Sequence, residues 1–328
     1  MNMCRTFVRR EWSCNPEPLA SPSDKWVTIL RIGMGLQLLF FSIPLRNDWL
    51  VLFENNGSQT VSRDLSEALL AAQSHFIPRL GWLVHGGAAL GVNESTTLNT
   101  AFVLLLCTGC FLIVGLFSRS AAVTGWFIHL CAVKSAYLMN YGVDNFTTIG
   151  LFYLMLAPLP DRFALDYARK GSIQPNEFLA GTCLRVFQLH VCIIYFFSGL
   201  TKALGIGWWN GTSFWRSLTS PPYDVISPHI WATLAPVLPL LGVSVWVLEI
   251  GYSIFIWFRK TRLIWFLAII AMHMAIALAM GLYLFAFVMI VLNLTAFGLD
   301  VLPFLNKITL REPTSDAPAH QPDLISRC

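Results

Sequence analysis

The chain has 328 residues, 55% of them hydrophobic and only 12% charged, with 24 Phe and 12 Trp. A soluble domain carries roughly twice that charged fraction, and several apolar runs reach the ~20 residues that cross a hydrocarbon core. A soluble domain is thus excluded and a polytopic membrane protein implied. The formal net charge of +4 marks no nucleic-acid partner, because the basic residues sit in short loops and form no patch interleaved with aromatics.

In chain order, residues 1–25 form a polar tail holding Pro16, Pro18 and Pro22. They make no cleavable signal peptide, so the first span serves as an uncleaved signal anchor. Apolar runs between charged or Pro/Gly breaks then predict an all-α transmembrane bundle over 26–302 with about eight spans. They fall near 26–45, 98–117, 120–139, 145–159, 180–203, 237–257, 262–280 and 282–302. Only Met280-Gly281-Leu282 separates the last two, and a count of seven or nine stays open. Residues 303–328 form a second tail, disordered in part. No internal repeat is present.

Basic residues alternate in phase with these spans. One set of ends carries Arg5, Arg9, Arg10, Lys25, Arg31, Arg119, Arg162, Arg169, Lys170, Arg259, Lys260, Arg262, Lys307, Arg311 and Arg327. The other carries only Arg46, Arg63, Arg79 and Arg216. The bias predicts both termini in the cytoplasm, in the cell membrane of a bacterium or the endoplasmic reticulum of a eukaryote. Two outward segments are long. Within 48–97, the amphipathic stretch Asp64–Gln73 is expected to lie in the outer interface. Within 204–236, Trp208, Trp209, Trp215, Tyr223 and Trp231 read as an interfacial aromatic belt.

Polar residues inside spans are costly enough to need a partner or a cavity. In the fifth span Arg185, Gln188, Cys192, Tyr195, Gly199 and Lys202 recur at spacings of three and four, which puts them on one helical stripe. Counting ~1.5 Å per residue sets Arg185 and Glu249 in the inner half, His129 and His273 near mid-depth, and Lys202, Asp144 and Asn145 at the outer ends. On that count Glu249 pairs with His273 or with Arg185. Two readings fit Lys202: a lysine snorkelling to the headgroups, or one facing a cavity, partly desolvated and able to act as a general base near neutral pH.

The eight cysteines form no disulfide framework. Cys107-Thr-Gly-Cys110 has redox-motif spacing, yet it lies mid-span, where small residues serve close helix packing. His129 and His273 have no second ligand at metal-site spacing, so they read as satisfied interior histidines and no metal is expected.

The blocks Tyr195-Phe-Phe-Ser-Gly-Leu-Thr-Lys202, Trp208-Trp209-Asn-Gly-Thr-Ser with Leu218, Gly109 to Arg119, Tyr141 to Leu151 ending at Pro158, and the run around His273 and Gly281 resemble the horizontally transferred transmembrane (HTTM) domain. That is the membrane domain of vitamin K-dependent gamma-carboxylase and its bacterial relatives. The resemblance covers most of 26–302. It implies reduced vitamin K or another quinone as cofactor, Lys202 as the base toward it, and Asn145, Tyr195 and Trp208 shaping its pocket. It also implies a secreted or membrane-associated peptide as substrate, with membrane lipid as the surrounding partner. Arg185, Gln188, Glu249 and His273 would form an intramembrane polar cluster. Two departures stand out: Phe146 follows Asn145 where the family has histidine, and the chain ends soon after the last span, without a large luminal domain. The alternatives are an accessory protein for maturing or exporting a secreted peptide, and a proton-linked transporter or lipid-binding scaffold.

Overall fold

The structure, a computed structural model, describes residues 25–55, 62–136, 140–170 and 177–301. The two tails lie outside the described residues apart from Lys25, and with them Arg5, Arg9, Arg10, Lys307, Arg311 and Arg327. Among the described residues every regular element is helical. The principal helices are α1 (Lys25–Ser42), α2 (Arg63–Gln73), α3 (Leu80–Ala89), α4 (Glu94–Val114), α5 (Ser118–Ser135) and α6 (Gly142–Leu156). They continue with α7 (Glu177–Leu204), α8 (Thr212–Thr219), α9 (Leu238–Phe255), α10 (Arg262–Met280) and α11 (Tyr283–Asn293).

Among the described residues, six segments are long and apolar enough to cross a membrane: Lys25–Arg46, Glu94–Val114, Phe178–Ala203, Ala235–Phe255, Arg262–Met280 and Tyr283–Val301. The protein is therefore an integral membrane protein. The runs expected at 120–139 and 145–159 are helices too, α5 and α6, of 18 and 15 residues, but they do not match those six in combined length and apolarity.

Sequence chemistry sets the helix ends. The Asn93 side chain accepts from Thr96 N at 2.8 Å and starts α4. Gly281, at φ 70°, ends α10 in a left-handed residue, which lets the chain reverse into α11 within two residues. Helices α1, α4, α5 and α6 pack as one half and α7, α9 and α10 as the other, with α11 between them against α1, α6 and α10. Trp26, Leu30, Met34 and Leu38 of α1 are fully buried at the centre. A Cβ on Gly35 would stand 2.8 Å from Gly109 O, so the Cys107-to-Cys110 stretch serves close approach of α1 and α4, and both cysteines are free. Beyond Asn293 the chain widens into a π-helical turn, Leu294–Gly298, before the last α turn Leu299–Val301.

One expectation changes at the bundle ends. Arg31 is no solvent-facing topology marker: its side chain and that of Asp161 are both 0% exposed and pair at 2.7 Å. Thr28 donates to the same carboxylate, and Arg31 Nη1 reaches the Leu112 and Ile113 carbonyls that α4 leaves open at its C-terminus. Helix α2, expected in the outer interface, docks on α5. Glu67 Oε1 accepts from Ser135 Oγ at 2.6 Å and from Gly81 N at 2.9 Å, while Arg63 Nη1 pairs with Glu94 at 2.7 Å. The buried face of α2 carries Arg63, Ser66, Glu67 and Leu70, while Leu65 and Leu69 are exposed.

Candidate functional site

The stripe of α7 faces protein, chiefly α9, which packs along it more extensively than any other pair of helices. The two come together at Gly199, where a Cβ would sit 2.7 Å from Ile250 Cγ1 and 3.0 Å from Glu249 Cβ. That approach brings the Glu249 carboxylate onto Lys202. Nζ donates to Glu249 Oε2 at 2.7 Å, to Oε1 at 2.9 Å and to Ser198 Oγ at 2.7 Å. The Trp208 ring lies 5.5 Å from the ammonium. Lys202 thus bends back along its own helix rather than reaching for headgroups, and its side chain keeps 20% exposure against 7% for Glu249.

The pairing expected for Glu249, with His273 or Arg185, is replaced by Lys202. The reason is where α9 starts. Gly242 packs on Trp208 O, and Gly211 on the Leu238–Pro239 backbone. The first turns of α9 therefore stand beside the short helices after α7, beyond the end of α7 itself. Depth counted from the start of α9 overshoots, and Glu249 comes level with the last two turns of α7.

Below the pair runs a buried polar chain. Tyr195 Oη is 2.7 Å from His273 Nε2, and Asn293 Nδ2 donates to Tyr195 Oη at 2.7 Å. Tyr252 Oη donates to Asn293 Oδ1 at 2.6 Å. His273 Nδ1 is buried without a hydrogen-bond partner among the described residues. Further down, Gln188 accepts from Arg185 Nη1 at 2.9 Å and donates to Ala296 O in the π turn at 2.6 Å. Arg185 thus belongs to the opposite end, away from Glu249.

Of the residues singled out in the sequence, Lys202, Glu249 and Trp208 meet at one point, and Tyr195 and His273 meet below it. Asn145 is exposed at the start of α6 and joins neither group. His129 is an interior histidine whose Nδ1 lies 3.3 Å from Thr148 Oγ1. Asn293, Tyr252 and Ser198 escaped the sequence reading, although the two former are polar residues in apolar runs and carried the same signal as His273. The Tyr153–His190 contact, 2.9 Å between Oη and Nδ1, was missed in the same way. A separate groove of about 520 Å³ between α3, α4 and α5, lined by Leu83, Gly87, Thr100, Leu104 and Phe127, contains no residue of the α7 stripe.

Chemically, the Lys202 end holds a proton donor and a proton acceptor in direct contact, one of them reachable from outside. Compared with protein-family models, curated proteins and solved structures, the chain matches none.

Proposed function

We propose that this chain is an HTTM-type membrane enzyme in which the Lys202–Glu249 pair takes a proton from a reduced quinone. The observation that carries this reading is the two-oxygen grip of Glu249 on Lys202 Nζ. Removal of a proton from an ammonium needs an acceptor in contact with it, and a carboxylate at 2.7 Å from Nζ is one. With that proton held on Glu249, Nζ becomes a neutral amine with a lone pair on its exposed side. Gly199 keeps the two groups in register, and Ser198 fixes the rotamer of Lys202.

The residues present suit a flat dioxygenated ring. An ion pair with one open edge offers hydrogen bonds to a hydroxyl, and the Trp208 indole beside it offers a stacking face. Lys202 and Trp208 would hold such a ring, with Tyr195 below; Asn145, exposed on α6, would not. Reduced vitamin K, when bound, supplies through its reaction with oxygen the strong base that carboxylation of a peptide glutamate requires. The substrate on this reading is a secreted or membrane-associated peptide reaching the outward end. This reading takes α5 and α6 as two further spans, eight in all, since α5 packs on α4 and α6 and α6 packs on α1, with both termini cytoplasmic in a cell membrane.

Purified protein in nanodiscs, given reduced vitamin K, labelled bicarbonate and a glutamate-containing peptide, is expected to form vitamin K epoxide and labelled peptide. Lys202→Met and Glu249→Gln are each expected to lower both products by at least ~100-fold, the usual scale for loss of a general base. Absence of both products with the wild-type protein refutes the catalytic reading. The buried Tyr252–Asn293–Tyr195–His273 chain favours a second reading, proton-linked transport, in which Glu249 and His273 exchange protons across the bundle. Unaltered transport of an identified solute in Glu249→Gln removes that one. An accessory role in maturing a secreted peptide is tested by deleting the gene and assaying that peptide.

A further inference from the structure

The hydrogen bonds below Lys202 have a fixed direction. Asn293 Nδ2 donates to Met289 O at 2.7 Å, and a backbone carbonyl only accepts, so the amide cannot be turned over. Its Oδ1 therefore accepts from Tyr252, and its other N–H goes to Tyr195 Oη. With Tyr195 accepting there, its single proton is directed to His273 Nε2 at 2.7 Å. His273 Nε2 is then the acceptor, and the ring carries its proton on Nδ1. That N–H has no partner among the described residues, although His273 is only 2% exposed. A buried donor left open is destabilising, and a four-residue chain of side chains from α7, α9, α10 and α11 is arranged to present it.

We propose that His273 Nδ1–H is a ligand-binding donor that takes one oxygen of the ring whose opposite oxygen lies at Lys202. This rests on the proton-transfer reading above and deepens it, since it defines the ligand as a ring with acceptor oxygens at opposite corners. Lys202 Nζ folds back to Ser198, about one helical turn from the Tyr195 whose hydroxyl meets His273, so both donors lie beside the same stretch of α7. The Phe285 ring, 5.7 Å from the His273 ring, provides an apolar wall on the α11 side.

Binding tests it, read as quenching of tryptophan fluorescence when menadione is titrated into the full-length protein in nanodiscs. His273→Gln keeps an amide oxygen for the Tyr195 hydroxyl but leaves nothing at Nδ1, so affinity is expected to fall about tenfold. His273→Asn puts an amide N–H near the Nδ1 position, so affinity is expected to stay within about threefold of wild type. Unchanged affinity in His273→Gln, equal losses in both variants, or no menadione binding by the wild type overturns the proposal. Nitrogen NMR of histidine-labelled wild-type protein supplies a readout independent of whether the variants fold. The proton is expected on Nδ1 of His273, with that resonance moving on menadione addition; a proton on Nε2, or an unresponsive Nδ1, is equally fatal. Menadione binding that depends on His273, in a protein that forms no epoxide or labelled peptide, would leave this site standing and remove the catalytic reading alone.

Discussion

Two ion pairs at opposite ends of the bundle share a charge pattern and differ in everything else. Arg31 and Asp161 are sealed, both at 0% exposure. Nε and Nη2 go to the carboxylate and Nη1 to two carbonyls. Such partnering is what a buried charge needs to be tolerated at all, and the absence of any exposed surface closes the pair to a substrate. Lys202 and Glu249 are held by fewer groups and keep one accessible side. A closed pair ties three chain segments together; an open pair can trade a proton with something that arrives. The guanidinium stays charged under all conditions, whereas the ammonium can give its proton up, so residue type agrees with exposure in assigning the two roles.

The sharpest way to break this contrast is Asp161→Asn. It leaves the sealed guanidinium without its carboxylate, and stability is expected to fall by about 3–5 kcal/mol, measured as unfolding in detergent under increasing denaturant. A loss below ~1 kcal/mol would mean that the sealed pair is not structural. Next comes Gly199→Ala, whose methyl would meet Ile250 and Glu249. Overpacking is expected to cost about 1–3 kcal/mol and to move α9 away from Lys202, so a thermal melt should drop together with any activity. Smaller still is the open pair itself. Glu249→Gln and Lys202→Met are each expected to destabilise by roughly 1–2 kcal/mol, with a coupling of ~1 kcal/mol when combined, since solvent reaches the lysine. A coupling as large as the whole cost of Asp161→Asn would erase the distinction. Asp300→Asn closes the series, because it leaves Arg262 its bonds to the Ile256 and Trp257 carbonyls. The Arg262–Asp300 pair, at 3.9 Å and 16% and 21% exposure, is expected to contribute under ~1 kcal/mol, readable as a small shift of the same melt.

How much of this the sequence disclosed depended on whether the signal was local. The stripe on α7 was legible from spacing, because a helix turns every third or fourth residue to one face whatever surrounds it. The partners on that face were not, because they come from α9, α10 and α11, and their depth depends on where each helix begins relative to its neighbours. Glu249 was misplaced for that reason alone. Arg31 was misread for a different one: a basic residue near a helix end looks the same in sequence whether it meets headgroups or an aspartate 130 residues away. Asn293 and Tyr252 show a third limit. Single polar residues in long apolar runs were visible, but nothing in their spacing tied them to Tyr195.

The widened turn at Leu294–Gly298 has a consequence for how the last helix can change. Ahead of it, Asn293 serves Tyr195 and Tyr252; after it, Phe297 packs edge-on against Tyr252 and Trp257, and Asp300 approaches Arg262. A π turn holds one residue more than an α turn would. Winding the same residues as plain α-helix would rotate one half of the helix against the other by roughly 100°, whereas deleting a single residue there would relax the turn to α geometry and leave the two halves nearly in phase. The segment thus behaves as a phase shifter in the chain. It lets the half of the helix serving the His273 end and the half serving the Arg262 end each keep its own angular setting, which an uninterrupted α-helix of the same length could not satisfy at once.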